Sequence, residues 1–152
     1  MKIFFPNNFL SELNKCEISN IENNYPKISI VMPSYNQAQF IEKSILSILN
    51  KNYPNTELII IDGGSNDGTI DKIKKYEDKI KFWISEKDQG QSDALNKGFA
   101  RCTGDIYGWL NSDDVYLPNT FKNIASIFAK NIDKKIVFGD WLNIGIKNDI
   151  ID

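Results

Sequence analysis

The sequence predicts an α/β protein, an αβα sandwich built on a mainly parallel sheet, and three observations carry that prediction. Short apolar runs alternate along the chain with segments whose apolar residues recur at helical spacing. One of those runs, Leu58-Ile59-Ile60-Ile61, has no polar alternation, as expected of a strand covered on both faces. The segments that follow the apolar runs are polar and rich in Asp, Asn, Gly and Ser, unlike those that follow the helical ones. Strand-helix alternation implies right-handed crossovers between parallel neighbours.

In chain order, residues 1–26 carry many Asn, two prolines and a weak apolar pattern at Phe9, Leu10 and Leu13, and read as a short helix or arm followed by a linker. Residues 27–152 read as one domain. Ile28-Ser29-Ile30-Val31-Met32 is the first strand, and Phe40, Ile41, Ile45, Ile48 and Leu49 mark the first helix. Leu58–Ile61 is the second strand; Ile70, Ile73 and Tyr76 mark a short helix; Ile80–Ile84 is the third strand. Ala94, Leu95, Phe99 and Ala100 mark the next helix, and Ile106–Leu110 the fourth strand. Phe121, Ile124, Ala125, Ile127 and Phe128 mark a last helix, with Pro118 near its first turn. Ile136-Val137-Phe138 is expected as a fifth strand.

A chain of 152 residues with 41% hydrophobic and 25% charged residues has the make-up of an ordinary globular domain. A net charge of -2 argues against nucleic acid as a partner, which needs a basic face to neutralise phosphates. The absence of histidine excludes Ser-His-Asp and Cys-His catalysis and any imidazole metal site. Cys16 and Cys102 follow no metal or redox spacing and read as free thiols in a reducing compartment. No window approaches the roughly 18 apolar residues of a membrane span, so the expected location is cytoplasmic, or peripheral at the inner face of a membrane.

Four polar loops follow the strands: Pro33-Ser34-Tyr35-Asn36, Asp62 to Thr69, Glu86 to Asp93, and Asn111-Ser112-Asp113-Asp114. In an open parallel sheet such loops converge on one crevice where ligands bind. Several carboxylates brought together repel one another, so the cluster calls for a divalent cation and hydrogen-bond donors, which a diphosphate on a hard metal supplies.

These residues carry a resemblance. The strand followed by Pro33-Ser34-Tyr35-Asn36, then Ile61-Asp62-Gly63-Gly64-Ser65-Asn66-Asp67-Gly68-Thr69, Asp88 to Gly98, and Trp109-Leu110-Asn111-Ser112-Asp113-Asp114, in that order and spacing, resemble family 2 glycosyltransferases of the GT-A fold. Each motif is weak alone; the ordered set is specific. The likeness covers Lys27 to Asp140 and implies the nucleotide-sugar-binding part of such an enzyme, incomplete at its carboxyl end, with the acceptor-binding half beyond it.

The resemblance implies a donor site made of Pro33, Ser34, Tyr35, Asp62, Asp88, Gly90 and Asp93. Tyr35 matches the ring that packs on the base, usually uracil, and Asp62 the aspartate that reads the base edge. Their competing readings are a half-buried core tyrosine and an aspartate holding the Gly63-Gly64 bend. Asp88 and Asp93 are partners for donor hydroxyls or ribose, and Gly90 permits a tight turn beside the diphosphate. Asp113 matches the ligand for Mg²⁺ or Mn²⁺, with Asn111 and Asp114 as possible helpers; Asn111 stands where many relatives have an aspartate. Leu95 stands where many have an arginine, which leaves Lys97 as a substitute or as a plain helix-surface lysine. Asp67 reads as a helix cap.

The implied reaction is an inverting transfer from a UDP-sugar to an acceptor hydroxyl on a glycan or lipid-linked acceptor, in polysaccharide or glycoconjugate synthesis. The family's base lies after the fifth strand, and Asp140 is the candidate here. Two other readings stand beside it: a non-catalytic nucleotide-sugar-binding module, and an unrelated phosphoryl-transfer or flavodoxin-like domain. The chain has no Gly-Lys-Ser/Thr phosphate loop to support the last.

Overall fold

The computed structural model describes residues 25–50, 53–131, 133, 135–140, 142 and 143. Strands β1 (Ile28–Ser34), β2 (Thr56–Asp62), β3 (Phe82–Ser85) and β4 (Ile106–Trp109) alternate with helices α1 (Ile41–Leu49), α2 (Thr69–Lys74), α3 (Gln91–Phe99) and α4 (Thr120–Lys130). A 3₁₀ turn, Glu77–Lys79, follows α2. The expected arm over residues 1–26, apart from Tyr25 and Pro26, lies outside the described residues.

The four strands pair in parallel in the order β3-β2-β1-β4, so β1 and β2 are central and buried along nearly their whole length. This is why the Leu58–Ile61 run lacks alternation. One face carries Ile28, Ile30, Met32, Leu58 and Ile60 against Ile41, Ile45 and Ile48 of α1, Ile73 of α2, and Phe121 and Ala125 of α4. Each such buried aliphatic side chain contributes about 1.5–3 kcal/mol. The other face packs Ile59 and Ile61 against Ala94 of α3, which completes the helix-sheet-helix layering.

Helix α3 crosses β1 very closely. A Cβ at Gly98 would sit 2.3 Å from Val31 Cγ1, so only glycine lets the backbone lie that near the sheet. Below this contact, at the amino end of the strands, Glu57 is buried. Lys27 Nζ lies 2.6 Å from it, and Ser29 Oγ and the Thr103 N–H donate to it at 2.6 and 2.7 Å. Burial alone would raise the Glu57 pKa, but the Lys27 ammonium and these donors outweigh it and hold the carboxyl at about 2.

The expected fifth strand is not formed. Residues 135–140 have no regular structure, and Ile136 and Phe138 stand 78% and 91% exposed. A three-residue apolar run becomes a strand only where a neighbour completes its ladder and something covers its side chains, and neither is present here among the described residues. Pro118 likewise precedes α4 rather than opening it, because Asn119 caps the helix in the left-handed region at φ 63°.

Candidate functional site

Strand register sets the site. Ser34, Asp62 and Ser85 lie in one row at the carboxyl edge of the sheet. Beside them β4 ends early, with Trp109 opposite Val31, so the chain turns at Asn111 over the ends of the central strands. Pro33, Asp62, Asp88 and Asp113 therefore share this edge.

The first two loops are tied together. Asn36, at φ 52°, takes the left-handed conformation that Asn tolerates. Its N–H donates to Ser65 Oγ (2.8 Å), and its Oδ1 accepts from the Asn66 N–H (3.0 Å). The Gln37 N–H donates to Thr69 Oγ1 and the Ala38 N–H to Asp67 Oδ2. Asp67 also accepts from the Thr69 hydroxyl and N–H at the start of α2, and these bonds hold its carboxyl below the usual range. The N-cap of α2 is Gly68, at φ 99°, and not Asp67 as expected; Asp67 sits one residue before it and joins the first loop to the start of the helix.

Between the loops lies an open cleft of about 610 Å³, within the size range of small-molecule sites. It is lined by Pro33, Ser34 and Tyr35 from the first loop, Gly63 from the second, Lys87, Asp88, Gly90, Gln91 and Ala94 from the third, and Asn111 to Asp113 from the fourth, with Gln37 beside them. The Tyr35 ring is 62% exposed, so it is not a core tyrosine. Ser34 Oγ is buried and has no hydrogen-bond partner among the described residues. Asp88 Oδ1 accepts from the Gly90 N–H (2.9 Å), and Gly90 adopts φ 102°, which favours glycine. Asp88 packs so closely over Gly63 that a Cβ there would meet its Oδ2 at 3.0 Å. Ser112 is buried, and its carbonyl accepts from Ser44 Oγ of α1 (2.9 Å), which leaves the neighbouring Asp113 exposed at the cleft. No hydrogen bond or ion pair engages the Asp113 carboxylate among the described residues.

Several of the predicted site residues lie elsewhere. Asp62 is fully buried and accepts from the N–H groups of Gly64 and Ser65, from Ser65 Oγ and from Ser85 Oγ. It holds the bend and does not line the cleft. Asp93 accepts from the Gln89 N–H (3.2 Å) and lies 3.1 Å from Lys97 Nζ, and these two, in that order, lower its pKa. Lys97 also pairs with Glu86 at 2.9 Å, which marks it as a helix-surface lysine. Asp114 is exposed and accepts from Asn111 Nδ2 (3.0 Å). Asp140 is exposed and outside the cleft lining.

Among the lining residues, sequence reasoning gives no binding role to Gln37, Lys87 and Gln91, nor to Gly63, Ala94 and Ser112. Lys87 is the one cation among the lining residues. For Gln37, Lys87 and Gln91, their place in the loops after β1 and β3 was the available signal.

The pattern of loops and topology has counterparts. The sequence profile of glycosyl transferase family 2 matches residues 29–151. The chain belongs to glycosyl transferase family 2. Curated relatives include an uncharacterized glycosyltransferase of Haemophilus influenzae, 43% identical over 111 residues, which are 71% of this chain and 44% of that protein. Another, from Nostoc sp., is 37% identical over 106 residues, 67% of this chain and 33% of that protein. The chain thus spans less than half the length of these relatives. Similar solved structures include S. aureus TarS 1–349 in complex with UDP-GlcNAc, at TM-score 0.64 and 22% identity, covering 70% of this chain and 32% of that one. The mannosyltransferase PcManGT of Pyrobaculum calidifontis, in complex with GDP-Man and Mn²⁺, also superposes at TM-score 0.64, with 24% identity over 70% of this chain and 33% of that one. The fold of this family 2 chain is GT-A. Among its described residues no helix is long and apolar enough to cross a membrane.

Proposed function

We propose that the cleft binds the donor of an inverting glycosyltransferase, a UDP-sugar held with Mg²⁺ or Mn²⁺, and that the whole protein transfers the sugar to a hydroxyl of a glycan or lipid-linked acceptor. The observation that carries this is the pair of unsatisfied groups facing one cleft: the buried Ser34 Oγ and the unpaired Asp113 carboxylate. Buried polar atoms are almost always bonded, so an orphan hydroxyl beside a cleft is open to a bond from a ligand or from water.

Tyr35 serves as the stacking platform for the base, and Ser34 Oγ can donate to or accept from it. Asp88, fixed by Gly90, accepts from donor hydroxyls. Lys87 offers charge to the diphosphate. Asp62 and Asp93 act through the loops they hold. Asp62 reads the base edge directly only if its bonds to Ser65 and Ser85 give way.

The oxygens of Asp113 and Asn111 fit a hard cation that completes its shell with water and diphosphate oxygens, since Mg²⁺ needs only one or two carboxylates. No group of three or more acidic or thiol side chains forms a closed cage among the described residues. Bound there, the metal would neutralise charge on the leaving diphosphate. The acceptor's base is sought first at Asp140, whose exposed segment must close over the cleft to serve; loss of transfer in the whole enzyme on Asp140→Asn tests that assignment. In this reading the protein works in the cytoplasm, free or peripheral at the inner face of the membrane.

The second reading, a non-catalytic nucleotide-sugar-binding module, is favoured by the position of Asp140 outside the cleft lining. Calorimetric titration with UDP, GDP and ADP in Mn²⁺ tests what both readings share. Tighter binding of UDP is expected; equal binding of the three removes the base assignment, and no binding removes the donor site altogether.

A further inference from the structure

Asn111 opens the turn proposed above to hold the cation, and both ends of its amide are engaged. Gln91 Nε2 donates to Asn111 Oδ1 at 2.7 Å, and Asn111 Nδ2 donates to Asp114 Oδ2 at 3.0 Å. Gln91 is the first residue of α3, twenty positions away in sequence, so the contact ties that helix to the turn after β4. The direction of the chain is fixed by its last member. An ionised Asp114 can only accept, so Asn111 must present its N–H₂ to it and turn its oxygen toward Gln91. Reversing the amide would set acceptor against acceptor at Asp114 and donor against donor at Gln91. An aspartate at 111 would face Asp114 with like charge. The turn is also held from below, where the Asp114 N–H donates to the Asn111 carbonyl (3.1 Å) and Ser112 is buried against α1.

We propose that Gln91 is a positioning residue: through Asn111 it orients the Asn111-Asp114 turn so that Asp113 and the free lone pair of Asn111 Oδ1 face the cation, without itself holding the donor. This rests on the donor-site reading above. Gln91 belongs to a group of outer partners that orient metal-binding oxygens, and loss of such a partner weakens metal binding without removing a ligand.

The test measures Mn²⁺ binding by electron paramagnetic resonance at saturating UDP, for the wild-type chain and for Gln91→Ala, Gln91→Met, Asn111→Ala and the double variant Gln91→Ala/Asn111→Ala. UDP binding without metal is measured in parallel. Gln91→Met keeps the length of the side chain and loses only its hydrogen bond. Both Gln91 variants are expected to weaken Mn²⁺ on the order of tenfold, with a smaller effect on metal-free UDP binding, to which Gln91 contributes only as a lining residue of the cleft. The double variant is expected to be no weaker than Asn111→Ala alone, because the effect of Gln91 passes through Asn111. Unchanged Mn²⁺ affinity in Gln91→Met, additive losses in the double variant, or a loss of metal-free UDP binding as large as the loss of Mn²⁺ would each overturn the proposal. A wild-type chain that binds neither UDP nor Mn²⁺ would instead overturn the donor site on which the proposal rests.

Discussion

At the cleft mouth the Tyr35 ring stands largely in solvent, while Asp113 presents a carboxylate with no partner among the described residues. The two side chains serve different parts of one ligand, so their losses should look different. Tyr35→Ala is expected to weaken UDP by ~1–3 kcal/mol with or without metal, as removal of a stacking platform does. Asp113→Asn is expected to remove the metal-dependent part of binding and leave the rest. Titration of both variants with and without Mn²⁺ checks this; equal losses under both conditions for Asp113→Asn would show that its carboxylate does not meet the cation. The residue types at this edge were legible in the sequence, and so was the start of α2 next to Asp67, though Gly68 and not Asp67 takes the cap position. The partition of the aspartates was not. Asp62 and Asp93 carry the same chemistry as Asp113, and only the positions of Ser65, Ser85, Gln89 and Lys97 around them show that their oxygens are already bonded.

The helix and strand positions follow from pattern. Strands β1 and β2 and helix α1 lie where the apolar spacing places them, because burial on both faces or along one stripe leaves a strong periodic trace. The fifth strand failed for the complementary reason: a run of three apolar residues says nothing about whether a pairing edge and a cover are at hand. The close passage of α3 over β1 was also invisible, since one glycine in a helical pattern reads as a weakness. Gly98→Ala is expected to destabilise the chain by about 1–3 kcal/mol through overpacking against Val31, partly offset by about 1 kcal/mol of helix propensity. Urea unfolding measures the balance, and a stabilised variant would show that α3 shifts away from the sheet freely. At the opposite end of the strands the buried Glu57 makes a pH prediction. Its folded pKa of about 2 lies below its ordinary 4.5, so the ionised form favours folding. That contribution is fully present above the ordinary value and is lost as pH falls toward about 2. Urea midpoints of the wild type and Glu57→Gln, followed with pH, are expected to differ near neutrality and converge in acid. A constant gap would assign the effect to packing instead.

Across the molecule, the parallel order β3-β2-β1-β4 collects four strand-end loops on one edge and leaves the Glu57 cluster on the other. Among the described residues, α3 shields the centre of the second face of the sheet, while Tyr107 and Trp109 of the edge strand β4 stand 54% and 56% exposed. The chain spans about a third of the Nostoc relative, and the acceptor chemistry is assigned above to the whole protein. Ligand binding alone should be visible in the chain itself. At a hundredfold excess over its dissociation constant, UDP with Mn²⁺ is expected to stabilise it by about 2.7 kcal/mol, a rise in melting temperature of very roughly 5–10 °C. That rise does not say where the ligand sits. Paramagnetic broadening of backbone amide signals by Mn²⁺ in the presence of UDP does, because it falls steeply with distance from the ion. Broadening is expected to centre on residues 111–114 and to reach 34–35, 63 and 87–91, with the amides around Glu57 and Lys27 least affected. Broadening centred on the Glu57 end of the sheet, or on the Glu42 and Lys72 pair between α1 and α2, would contradict the assignment of the cleft as the donor site.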